Sequence, residues 1–96
     1  MAAYLVVDTD LTDANHYEDY KRLAKPIVEQ HGGEYLARGV EITRKETELW
    51  NPTRLVLILF PTSEQARHFY DSPEYQQVLQ ISKASARRTV VILEGL

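Results

Sequence analysis

Five residues carry groups able to work on a small molecule: His31, Arg38, Trp50, Tyr70 and Tyr75. Histidine changes charge near neutral pH, so His31 can take up or release a proton. Arg38 offers a permanently charged planar fork that suits an anionic or carbonyl oxygen. The tyrosines and the tryptophan supply flat apolar walls with a polar handle. Together these types predict a pocket for a small anionic or carbonyl-containing molecule, with His31 as catalytic acid/base and the other four binding the ligand. No cofactor is called for. Each residue also has a plainer reading: His31, just before Gly32-Gly33, suits a ring that caps a helix C-terminus. Arg38 suits an internal ion pair with Asp8, Glu41 or Asp71, since an unpaired buried charge is costly. The aromatic residues suit simple packing, and Trp50 an interface.

Other chemistries lack their residues. There is no cysteine, hence no disulfide, thiolate metal site or cysteine nucleophile. No metal site is expected, because His16 and His31 stand too far apart on one helix to share an ion. His16 and His68 have polar neighbours and are expected to face solvent. No nucleophile elbow or phosphate-cradling loop is present.

The elements that must position the five residues follow from periodicity. Ala3 to Asp8 is a β-rich run, and Asp13 can cap a helix over about 14–31 in which Tyr17, Tyr20, Ala24, Ile27, Val28 and His31 share one face. Gly32-Gly33 ends it. The next strand begins at Tyr35-Leu36-Ala37-Arg38, is interrupted by Gly39, where a bulge or bend is expected, and resumes through Ile42 and Arg44 to Leu49. Alternation along it puts Arg38 on the opposite face from Tyr35 and Ala37. Trp50-Asn51-Pro52-Thr53 reads as a hairpin connection into Leu55 to Phe60, the strongest strand. Thr62 and Gln65 form a capping box for a second helix. That helix is broken near 71–73: Ser72 is an N-cap, Pro73 suits the first helical position, and Glu74 favours the positive end of the restarted helix. Thr89 to Leu93 is the last strand. The fold class expected is α+β, a ferredoxin-like βαββαβ chain with a four-stranded antiparallel sheet and two helices on one face, forming a single domain over 1–96.

A chain of 96 residues with 11 basic and 14 acidic side chains, net charge −3, has no concentrated basic surface, so nucleic-acid binding is not expected. The N-terminus lacks a basic start with a long apolar run, and no segment is long enough to span a membrane. The expected compartment is cytoplasmic and no membrane partner is expected. The strand Leu55 to Phe60 is apolar at every position, as is Val90 to Leu93, so both faces of the sheet should be covered while two helices cover only one. A second copy of the chain is the economical cover, giving a homodimer with a barrel-like core between two facing sheets. The alternative is a monomer with an apolar groove for a lipid-like ligand.

The run Tyr17 to Tyr20, His31-Gly32-Gly33, Tyr35 to Gly39, Phe60-Pro61-Thr62, Tyr70 to Tyr75 and the ending Ile92 to Leu96 together resemble the family known as domain of unknown function 1330. The resemblance covers nearly the whole chain, and Asp71-Ser72-Pro73-Glu74-Tyr75 is its most specific part. It implies membership of the dimeric α+β barrel superfamily, with the ferredoxin-like fold and face-to-face dimer. The wider superfamily includes cofactor-independent oxygenases, isomerases and dehalogenase-like proteins, which permits a catalytic reading without specifying a reaction. The connection Trp50 to Thr53 departs from the more acidic, proline-rich turn often found in that family. Two functions remain open: an enzyme or binder acting on a small molecule through the five residues, and a non-catalytic dimerisation or ligand-sensing module in which they are structural.

Overall fold

Residues 1–96 are described by a computed structural model. The elements run β1 (Ala3–Leu11), α1 (Ala14–Gln30), β2 (Glu34–Arg38), β3 (Leu55–Phe60), α2 (Ser63–Asp71), α3 (Pro73–Ser85) and β4 (Ala86–Glu94). All strand pairs are antiparallel, in the order β2-β3-β1-β4. This is the ferredoxin-like α+β arrangement, with the second helix divided in two.

The helix boundaries have local causes. Asp13 caps α1 by accepting from the His16 N–H at 3.1 Å, and Thr62 caps α2 by accepting from the Gln65 N–H at 3.1 Å. At the end of α1, the Gly33 N–H reaches the Val28 carbonyl and the Gly32 N–H the Glu29 carbonyl, the paired bonds of a Schellman motif. Gly32 takes the left-handed φ of 84° that this motif needs. A Cβ on Gly33 would fall 2.6 Å from Val28 Cγ1, so no side chain fits there. Ser72 both ends α2 and starts α3: its hydroxyl donates to the Phe69 carbonyl at 2.8 Å and accepts from the Tyr75 N–H at 3.3 Å. The break therefore serves to aim Tyr75 inward.

Leu5, Val7, Val56, Ile58 and Phe60 of the sheet pack against Tyr17, Tyr20, Ala24, Val28, Ala66, Phe69, Tyr75 and Leu79 of the helices. The opposite sheet face carries Tyr4, Val6, Leu55, Leu57, Leu59, Val91 and Leu93. Nothing within the chain covers that face fully: Val91 and Leu93 are 50% and 59% exposed.

Three expectations about β2 need correction. The strand stops at Arg38 instead of resuming to Leu49, and residues 39–54 contain no strand. Gly39 turns the chain with a φ of 65°, and the charged run after it lacks an apolar face worth burying. The connection into β3 is thus longer than Trp50 to Thr53. It is held by the Asp8 carboxylate, which accepts from the Thr53 and Arg54 N–H groups and from the Trp50 indole at 2.9–3.0 Å. Finally, the bulge lies between Tyr35 and Ala37 rather than at Gly39. One extra residue in a strand turns the residues beyond it to the other face, so Arg38 joins Tyr35 beneath the helices and its guanidinium sits 4.4 Å from the Tyr35 ring centre.

Candidate functional site

Between the sheet and the helices lies a cavity of about 30 Å³. Four tyrosines reach it: Tyr17 and Tyr20 from the inner face of α1, Tyr35 from β2, and Tyr75 from the first turn of α3. Three arginines reach it as well: Arg38 just past the bulge, Arg54 just before β3, and Arg88 from the inner face of β4. Lys21 adds a fourth cation, and no aspartate, glutamate or histidine lines the space.

The arginines have little to neutralise them. All the ion pairs of the chain lie on α1, between Lys21 and Glu18, Arg22 and Asp19, and Lys25 and Glu29. Arg38 donates to the Lys21 carbonyl at 2.9 Å and has none of the carboxylate partners Asp8, Glu41 or Asp71. Arg54 and Arg88 lie 5.8 and 5.0 Å from the ring centres of Tyr17 and Tyr20. A cation over an aromatic face gains about 0.5–2 kcal/mol, against several kcal/mol for burying an ion. The rings alone do not offset the burial.

Arg88 shows the deficit most clearly. It donates to Ser82 Oγ and, at 3.2 Å, to the Tyr75 hydroxyl, while its Nε is buried with no partner. Directly across the β1–β4 pair stands Thr9, fully buried and with its Oγ1 also unpartnered. The Tyr20 and Tyr75 hydroxyls are 2.7 Å apart. Whichever donates to the other, one phenolic hydrogen is left without an acceptor, since Arg88 can only donate. The site is rich in spare donors and poor in acceptors.

Protonation reinforces this. Burial, with the nearby Tyr75, pushes the Tyr20 phenol far up despite the pull of Arg88. Burial also raises Tyr35, with Arg38 opposing. For Arg88, burial works against the charge, but the Tyr20 and Tyr75 phenols outweigh it and hold the guanidinium above its ordinary value. Near neutral pH Tyr20 and Tyr35 are neutral donors and Arg88 is a cation.

The five residues singled out by sequence are distributed unevenly. Arg38 and Tyr75 meet in the cavity. Tyr70 stacks on Tyr75, ring centres 5.3 Å apart, but lines a separate cleft beside α3. His31 lies outside both, at the end of α1, with Nδ1 donating to the Ile27 carbonyl at 2.9 Å and its ring edge-on to His68 and Phe69. Trp50 is bound to Asp8 on the open sheet face. Sequence reasoning overlooked Tyr17, Tyr20, Tyr35, Arg54 and Arg88. A signal for Arg88 exists: it interrupts the inward stripe Ala86, Arg88, Val90, Ile92, which becomes visible once β4 is extended back to Ala86.

The model of the family described as domain of unknown function (DUF1330) matches residues 2–96. The chain belongs to this family. No curated protein matches it in sequence. Among solved structures, a protein of unknown function from Rhodopseudomonas palustris superposes with a TM-score of 0.78 at 16% identity, over 99% of this chain and 82% of that one. SnoaB, a cofactor-independent oxygenase from Streptomyces nogalater, gives 0.72 at 7% identity, over 99% and 93%. A dimeric ferredoxin-like protein of unknown function from Jannaschia sp. CCS1 gives 0.68 at 17% identity, over 99% and 100%. At such identities the likeness is one of fold. It places this DUF1330 chain among ferredoxin-like proteins.

Proposed function

We propose that this DUF1330 protein is a homodimer that binds a small anionic, carbonyl-containing molecule in the cavity between sheet and helices. The observation that carries the reading is the set of three arginines and four tyrosines around one cavity with no carboxylate among them. A ligand bringing acceptor oxygens and negative charge would supply what those groups lack. The volume suits a carboxylate, because 30 Å³ admits about two waters' worth of oxygen. The lining favours holding negative charge, on the substrate or developing in a reaction, over abstracting a proton, since no histidine or carboxylate lines the cavity.

Dimerisation is supported by the open, apolar sheet face and by the description of the Jannaschia neighbour as dimeric. A monomer in sedimentation at micromolar concentration would rule it out.

A second reading, a dimerisation module whose polar interior is structural, has the small cavity volume in its favour. Calorimetric titration with acetate, formate and acetamide separates the two. Binding of the acids but not the amide, lost in Arg88→Met, supports the anion site. Absence of binding by any acid at millimolar concentration leaves the structural module.

A further inference from the structure

Arg88 borders a second space as well as the cavity. A cleft of about 220 Å³ lies between α3 and β4, and Arg88 forms part of its wall. The rest of the wall is mainly apolar: Leu79, Ala86 and Val90, with the half-buried Tyr70 ring alongside. Lys83 is the other charged residue on it, and no acid is present. The Ser82 hydroxyl is already used in binding Arg88. The molecule therefore has a cation with unspent donors next to a compact apolar trough whose remaining charge is positive.

We infer that the ligand is a short-chain monocarboxylic acid whose head group lies on Arg88 and whose apolar body fills this cleft. The inference rests on the reading of Arg88 as an anion site and adds the nature of the body and its place. The head group is placed by Arg88, the one cation that lines both the cavity and this cleft and whose guanidinium has no carboxylate partner. The body is bounded by volume: by the same measure, a cleft of 220 Å³ holds about fifteen water-sized groups. That suits a chain of a few carbons or one small ring and excludes a nucleotide or long acyl chain. Charge excludes a zwitterion, because an ammonium on the body would meet Lys83 with no acid to receive it.

The test is calorimetric titration of the full chain with acetate, butyrate, hexanoate and hexanamide. Hexanoate is expected to bind most tightly, affinity rising up to about fourfold per methylene as apolar surface is buried, and hexanamide is expected to fail. Val90→Phe, which narrows the cleft, is expected to flatten the length series while acetate still binds. Lys83→Glu, an exposed position where the fold is not at risk, is expected to weaken hexanoate several-fold and supplies the answer if Val90→Phe does not fold. A flat series in the unmodified protein, with acetate bound, overturns the cleft and leaves the anion site standing. Hexanamide binding as tightly as hexanoate overturns the charge requirement, and binding by no acid removes the site and the inference together.

Discussion

The two faces of the sheet depart from the usual relation between polarity and burial in different ways. Beneath the helices, among the apolar Leu5, Val7, Val56, Ile58 and Phe60 of the core, sit Arg38, Arg88 and a ring of tyrosines. On the open face, where polar residues are expected, sit Leu55, Leu57, Leu59, Val91 and Leu93. A half-buried sheet normally keeps charge off its inner face and apolar side chains off its outer one, so each face is incomplete in its own way. The inner face lacks negative charge and acceptors; the outer lacks apolar cover. Under the proposed function a small acid completes the first and a second chain the second, two requirements that are physically independent.

That independence can be broken. The largest effect is expected from Val91→Lys on the open face. The side chain is half exposed within one chain, so the protomer should still fold, while a lysine enclosed at a dimer interface costs several kcal/mol. Sedimentation should show a monomer, with the dimer dissociation constant raised at least about a hundredfold. Acetate binding should survive; its loss would mean that the faces are coupled.

Arg88→Met is expected to act the opposite way, abolishing carboxylate binding while leaving the dimer intact. Removing a buried charge that lacks a counter-ion is often neutral or stabilising, so the melting temperature should stay level or rise. A fall of more than a few degrees would mark Arg88 as structural.

Tyr75→Phe should cost about 1–3 kcal/mol in denaturant unfolding, because the Tyr20 hydroxyl and one Arg88 donor lose their partner. Tyr70→Phe, which has no hydroxyl bond to lose, should cost less.

The smallest effect concerns Asp8, outside the cavity. Burial pushes its carboxyl up, but the Arg54 and Thr53 N–H groups and the Trp50 indole prevail and hold it below the usual 3.8. A depressed carboxyl contributes stability that is present above its unfolded value and lost as pH falls through the folded value. Trp50 fluorescence should therefore change below about pH 4. Asp8→Asn should remove that transition without altering acid binding.

Much of this was legible in the chain. Asp13, Thr62 and Ser72 announce their helices, and Gly32-Gly33 announces the end of α1, because capping depends on a few adjacent residues. The apolar runs of β3 and β4 pointed to an uncovered sheet face for the same reason. The reading went astray where distant pairing governs: the charged residues after Gly39 read as a strand but have no partner, and Trp50 goes to Asp8, an anchor from β1. His31 attracted notice by its type, yet its ring is occupied by the Ile27 carbonyl.

The sequence by itself determined the order of elements, their caps and the family, since these depend on neighbours along the chain. Only the tertiary structure decided which charges meet. A bulge turned Arg38 inward, and the β1–β4 register set Arg88 against Thr9. One residue of slip in either strand would send its arginine to the other face, and such registers are settled by contacts between segments far apart in the chain.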